Sequence, residues 1–183
     1  KDIGREYESD VIRINSQSGK GGIGYVLEEN FGFHIPGKMR EDVGYTVKDV
    51  SDKQHRELVP KDILDVFKTV YVNISSPIAL KECHFIQKDG GIEAEISLEK
   101  SGVDKLYHGR GNGRLDAVSN ALQRHSDLDY SIVSYQEHAL TVGSNSKACS
   151  YVAIQKPNGT VVWGAGIHED IITASVLALI SAV

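Results

Sequence analysis

Seven histidines, two cysteines and several glycine-rich stretches are the residues in this chain whose types could do chemistry. The histidines are His34, His55, His84, His108, His125, His138 and His168. None forms an H-x-H or H-E-x-x-H pair, the spacings that bring two imidazoles onto one metal ion. The metal ligands and catalytic residues expected in this chain are therefore none. Glu137 and His138 are adjacent within a strand-like run, where neighbours point to opposite faces, so a joint acid–base role is not expected. Cys83 and Cys149 are too few for a disulfide framework and read as two small buried hydrophobes in a reducing compartment. Lys20, in Ser18-Gly19-Lys20-Gly21-Gly22, lacks the G-x-x-x-x-G-K-[ST] of a phosphate loop, and Gly109-x-Gly111-x-Gly113 departs from the dinucleotide spacing G-x-G-x-x-G. What remains is a glycine-rich junction before each of two helical stretches. Bare N–H groups at a helix start attract carboxylates, and His168 would neighbour a ligand held there. The other reading is that the glycines only permit tight turns. On either reading the chain is a binding or regulatory module without a complete active site.

The elements that must position those junctions fall into two parts. Residues 1–14 read as extended, with Val11, Ile12 and Ile14 among polar neighbours, and 15–22 as a polar turn. Ile23, Val26 and Leu27 then recur at helical spacing up to Gly32, and Met39, Val43, Val47 and Val50 mark a second helix. Pro60 takes a first-turn position ahead of Ile63, Leu64, Phe67, Val70 and Tyr71. Residues 1–72 form a small helical subdomain on this reading, and Ser75-Ser76-Pro77 ends it.

Behind it the period changes to two. Ile78–Gln87 reads as a strand and Asp89-Gly90-Gly91 as a turn. Ile92, Ala94, Ile96 and Leu98 alternate with Glu93, Glu95, Ser97 and Glu99, a strand with one wet face. A short strand at 103–107 precedes a helix capped by Asn112 and carrying Leu115, Val118, Ala121 and Leu122. The same order then repeats: strands at 130–142, 147–155 and 161–163, then a helix with Ile172, Val176, Leu179, Ile180 and Val183 on one face. Gly109-Arg110-Gly111 returns as Gly164-Ala165-Gly166, and Ala117–Leu122 as Ala174–Leu179. The expected fold class is α+β: a small helical linker subdomain (1–72) followed by a domain at 77–183. That domain comprises two βββα units, about 77–126 and 127–183, packed about a pseudo-twofold so that each covers the other's apolar face.

A net charge of −5 argues against nucleic acid as the main partner, and no apolar run reaches the roughly 18 residues of a membrane span. The first residue is Lys1 and the last ones continue an apolar helical pattern, so a piece of a longer protein is expected.

Several of these residues also carry a resemblance. Lys1–Arg5, Ile12–Gly22, Gly111-Asn112-Gly113, Tyr135-x-Glu137-His138-Ala139 and Val162-Trp163-Gly164-x-Gly166-Ile167 together resemble the C-terminal half of 2-isopropylmalate synthase, in its long form. The likeness runs through essentially the whole chain. It implies a cytoplasmic acyltransferase as parent, whose TIM barrel uses a divalent metal to condense acetyl-CoA with 3-methyl-2-oxobutanoate in leucine biosynthesis. That barrel is absent here, so the fragment alone should be inactive and needs no cofactor of its own. The 77–183 domain would dimerise and bind L-leucine as feedback inhibitor. Carried over by motif, the leucine site comprises Gly111, Asn112, Gly113, Leu115, Asp116, Ile132, Tyr135, Ala139, Ser146, Ala148, Ile167 and Glu169. Helix-start N–H groups would take the α-carboxylate, and Asp116, Glu169 or carbonyl oxygens the ammonium. Arg13, Asn15 and Ser16 are relay candidates toward the barrel. The expected partners are a second copy of the chain, L-leucine and the chain's own barrel, with no nucleic acid or membrane. The alternatives are the matching domain of a citramalate synthase sensing isoleucine, or a dimerisation module without effector.

Overall fold

A computed structural model describes residues 20–125, 127–142 and 145–183. The expected strand at 1–14 and the relay candidates Arg13, Asn15 and Ser16 lie outside them. The chain divides after Phe67 into two compact units, within the third helix.

In the first unit, α1 (Lys20–Phe31) begins inside the expected polar turn, so Lys20, Gly21 and Gly22 are helical. Gly32, at φ 75°, ends it in the left-handed cap that glycine adopts without strain. In α2 (Gly37–Gln54), Met39, Val43 and Val47 form the buried stripe. α3 starts on Pro60 and runs Pro60–Tyr71. Ile63 and Phe67 are fully buried, and the Phe67 ring meets Phe33 edge-on at 5.1 Å.

The second unit is a βββα repeat. β1 (Ile78–Lys88), β2 (Gly91–Lys100) and β3 (Val103–Gly111) form one antiparallel sheet in that order, followed by α4 (Arg114–His125). β4 (Ser131–Val142), β5 (Asn145–Gln155) and β6 (Val161–His168) form the second sheet, followed by α5 (Ile171–Ala182). Asp89 and Gly90, then Ser101 and Gly102, take positive φ in the two-residue hairpin loops of the first sheet, which matches the twist of the flanking strands. Ala94, Ile96 and Leu98 face the helices with Val118, Leu122, Val152, Ile154, Val176 and Leu179 in one core. Glu93 and Glu95 sit on the other face of β2, opposite Arg110 and His108.

The glycines correct the expectation drawn from them. β3 and β6 were expected to stop at Tyr107 and Trp163, yet both run on through the glycines, to Gly111 and His168. The glycines are strand residues under a helix rather than turns. A Cβ on Gly109 would collide with the main chain of Ala117 and Ala121, and one on Gly164 with that of Ala178 and Ala182. Gly111 and Gly166 likewise lie against Ala117 and against Ala174 and Ala178. Glycine on the strand and alanine on the helix let the two backbones approach within a side chain's breadth.

Candidate functional site

The helix starts that should receive a ligand are built differently from each other. In α4 the cap position falls to Gly113, whose carbonyl accepts the Ala117 N–H at 3.0 Å, and not to Asn112 as expected. Asp116 reaches back instead, accepting the Asn112 N–H at 3.1 Å. In α5 the cap is Asp170, whose carboxylate accepts the Thr173 N–H at 3.0 Å and the Thr173 hydroxyl at 2.7 Å. These two bonds hold the Asp170 carboxyl below its ordinary value of 3.8. A lowered carboxylate pKa means stability that is present above the unfolded-state value and lost as pH falls through the folded one. Asp170→Ala should therefore cost about 1 kcal/mol at neutral pH. The gap between variant and wild type should narrow below pH 3.8 in urea titrations at several pH values; a gap independent of pH would refute the capping role.

Between the two helix starts lies a cleft of about 280 Å³, lined by Gly113, Arg114, Leu115, Asp116, Tyr135, Ile172, Ser175 and Val176. Leu115, Ile172 and Val176 give it apolar walls, and Tyr135 gives it a hydroxyl edge. The Tyr135 phenol donates a short hydrogen bond to Glu137 and meets the Ser175 hydroxyl at 2.7 Å. Ser175 continues to the buried Ser150 at 3.0 Å and donates to the Ile171 carbonyl at 2.9 Å. Burial, then the Glu137 carboxylate, push the Tyr135 phenol above its ordinary pKa, so it remains a donor.

Of the residues carried over by motif, Gly113, Leu115, Asp116 and Tyr135 meet in this cleft. Gly111 and Asn112 line the adjoining depression with Arg110 and Asn120, and Asp116 borders both. Ile132 and Tyr135, of opposite parity by simple counting, share a face: the ladder shifts register between Ile132 and Ser134, so they pair with Ile154 and Val152. Ala139 and Ala148 lie opposite each other farther along that face, and Ser146 is exposed near the hairpin end of β5. Ile167 is on the reverse face, paired with Cys149, and its main chain is clamped by the Asn73 side chain at 2.9 and 3.1 Å. Glu169 is exposed in the β6–α5 connection and does not line the cleft. Sequence reasoning missed Arg114, Ile172, Ser175 and Val176. A serine interrupting the apolar stripe of α5 was the one available signal for Ser175.

Glu137 and His138 do face opposite ways; His138 bonds the Tyr151 hydroxyl at 2.8 Å, on the side away from the cleft. Cys149 is buried and Cys83 half-buried, both as free thiols that burial pushes up to about 11. No helix among the described residues is long and apolar enough to cross a membrane.

The fold and the cleft define a tandem βββα domain with a pocket between its two helix starts. Residues 57–183 match the LeuA allosteric (dimerisation) domain, and the chain belongs to that family. Residues 1–28 match the post-catalytic domain-like family of alpha-isopropylmalate synthase. Among relatives, the 2-isopropylmalate synthase of Desulfitobacterium hafniense is 54% identical over 183 residues, covering 100% of this chain and 33% of the relative. The protein of the same name from Helicobacter hepaticus is 45% identical, covering 100% of this chain and 34% of the relative. That from Clostridium acetobutylicum is 41% identical, covering 99% and 33%. The chain thus spans about a third of the length of these curated relatives.

Proposed function

We propose that this chain is the effector-sensing and dimerising region of a 2-isopropylmalate synthase, and that L-leucine binds in the cleft between the starts of α4 and α5. The observation that carries the reading is the cleft itself. In a chain of the LeuA allosteric family, it brings Gly113, Leu115, Asp116 and Tyr135 together with apolar walls sized for a small aliphatic side chain. Leucine's isobutyl group would lie against Leu115, Ile172 and Val176, a burial worth on the order of 1.5–3 kcal/mol. Its carboxylate would face the α4 start and its ammonium Asp116. Leucine bound there in a homodimer would feed back on the condensation of acetyl-CoA with 3-methyl-2-oxobutanoate. The divalent metal and the catalytic barrel belong to the cytoplasmic parent, with 1–72 as the link and Arg13, Asn15 and Ser16 as relay. A ligand shifts such an equilibrium only by its differential affinity for the two states, typically about 1–3 kcal/mol.

Calorimetric titration with L-leucine, against L-isoleucine and L-valine, tests this. Saturable binding that prefers leucine is expected, lost in Gly113→Trp. A Cβ at Gly113 meets no atom within 4 Å, so the main chain there accepts a side chain, and circular dichroism of the variant checks that its fold is kept. Preference for isoleucine would move the parent to citramalate synthesis. A folded dimer that binds none of the three would leave a dimerisation module.

A further inference from the structure

The repeat builds two clefts. Across the second sheet, Gly164 pairs with Val152 and Val152 with Tyr135; across the first, Gly109 pairs with Ala94 and Ala94 with Phe85. Phe85 is thus the counterpart of Tyr135. As the α4 start lies beside Tyr135, so the α5 start lies beside Phe85. Asp170, Ile172, Thr173 and Val176 close a cleft of about 350 Å³ with Cys83, His84, Phe85 and Arg114.

Its chemistry differs from that of the first. Where Tyr135 offers a hydroxyl, Phe85 offers a bare ring, and the Arg114 guanidinium lies 5.9 Å from the ring centroid. Among the described residues no carboxylate lies within ion-pair distance of Arg114, although Asp170 borders the same cleft. The cleft therefore presents a planar cation shaped for bidentate carboxylate binding, an anion, and apolar walls from Phe85, Ile172 and Val176. We infer that this is a second effector site, for the zwitterion of an aliphatic amino acid, with the carboxylate on Arg114 and the ammonium toward Asp170. The two clefts adjoin, with Arg114, Ile172 and Val176 bordering both, while Cys83, His84, Phe85, Asp170 and Thr173 belong to the second alone; the inference does not require leucine to occupy the first.

The test titrates the 183-residue chain calorimetrically with L-leucine, L-isoleucine and L-valine, and with isopentylamine, which lacks the carboxylate. Two binding events per chain are expected. Gly113→Trp should remove one, and Thr173→Trp should weaken the other by about tenfold or more. In case Thr173→Trp misfolds, alkylation of Cys83, followed by mass spectrometry in the unsubstituted chain, should be slowed by the amino acid, with buried Cys149 as internal reference. A single event abolished by Gly113→Trp, with unchanged Cys83 alkylation, would overturn the second site and leave the first standing. Binding lost only in Thr173→Trp would support the second site and overturn the first. Isopentylamine binding as tightly as leucine would overturn the role of Arg114, and heat from none of the ligands would overturn both sites.

Discussion

Gly166→Val should cost more than about 3 kcal/mol and lower the melting temperature by roughly 6–12 °C. Overpacking usually costs less, because the neighbouring side chains can turn aside. Here a Cβ would strike the Ala174 carbonyl and come within 2.7 Å of the Ala178 amide, both main-chain atoms inside α5. The helix can escape only by lifting from β6, which uncovers Ala174, Ala178 and Leu179, all fully buried. Gly164→Val should behave alike, being set against Ala178 and Ala182. Gly113→Ala, with open space around it and ordinary φ, meets no such clash and should lose only the difference between glycine and alanine as a helix cap, about 0.5–1 kcal/mol or roughly 1–4 °C. Thermal melts by circular dichroism decide between these cases. A Gly166→Val chain as stable as Gly113→Ala would mean that the glycines are not spacers.

That contrast also shows where the sequence was readable. The repeat, the helix on Pro60 and the alternation along β2 are local periodicities, and the structure keeps them. The glycines were visible in the same letters, but their purpose is set by a helix that crosses them from elsewhere in the chain. Gly109 needs Ala117 and Ala121, and nothing within Gly109-Arg110-Gly111 says so. A glycine reads as a turn until its partner is known, so the letters alone end β3 at Tyr107 and β6 at Trp163, short of their true ends at Gly111 and His168.

The candidate site was legible to a similar depth. Residues next to a helix start, such as Gly113, Leu115 and Asp116, line one cleft because a motif holds them together along the chain. Ile132 could be placed only once the register shift beyond it was known, since one extra residue turns a strand over. Ile167 adjoins the second junction but pairs with Cys149, on the face of the sheet away from the cleft. Ser175 entered unannounced because its significance lies in contacts across 25 and 40 residues, to Ser150 and Tyr135.

Those contacts yield the second large effect. Ser175 is 2% exposed and Ser150 fully buried, so neither hydroxyl can exchange its protein partner for water. Ser175 is the hub, joined to Ser150, Tyr135 and the Ile171 carbonyl. Ser175→Ala strips Ser150 of that partner and leaves it only the Tyr135 phenol, and a buried polar group left short of a partner costs about 1–3 kcal/mol. Ser150→Ala should cost less, because Ser175 keeps Tyr135 and Ile171. The double variant Ser150→Ala/Ser175→Ala should be no worse than Ser175→Ala alone, since it removes the buried hydroxyl that had lost its serine partner. Urea denaturation of the four proteins measures this coupling. Purely additive losses would show that the two hydroxyls act independently. Sub-additive losses, together with weaker L-leucine binding in Ser175→Ala, would tie the floor of the cleft to the packing of α5 on its sheet. Occupancy of the cleft would then be felt as stability in the same helix whose glycine-lined seat fixes its distance from β6.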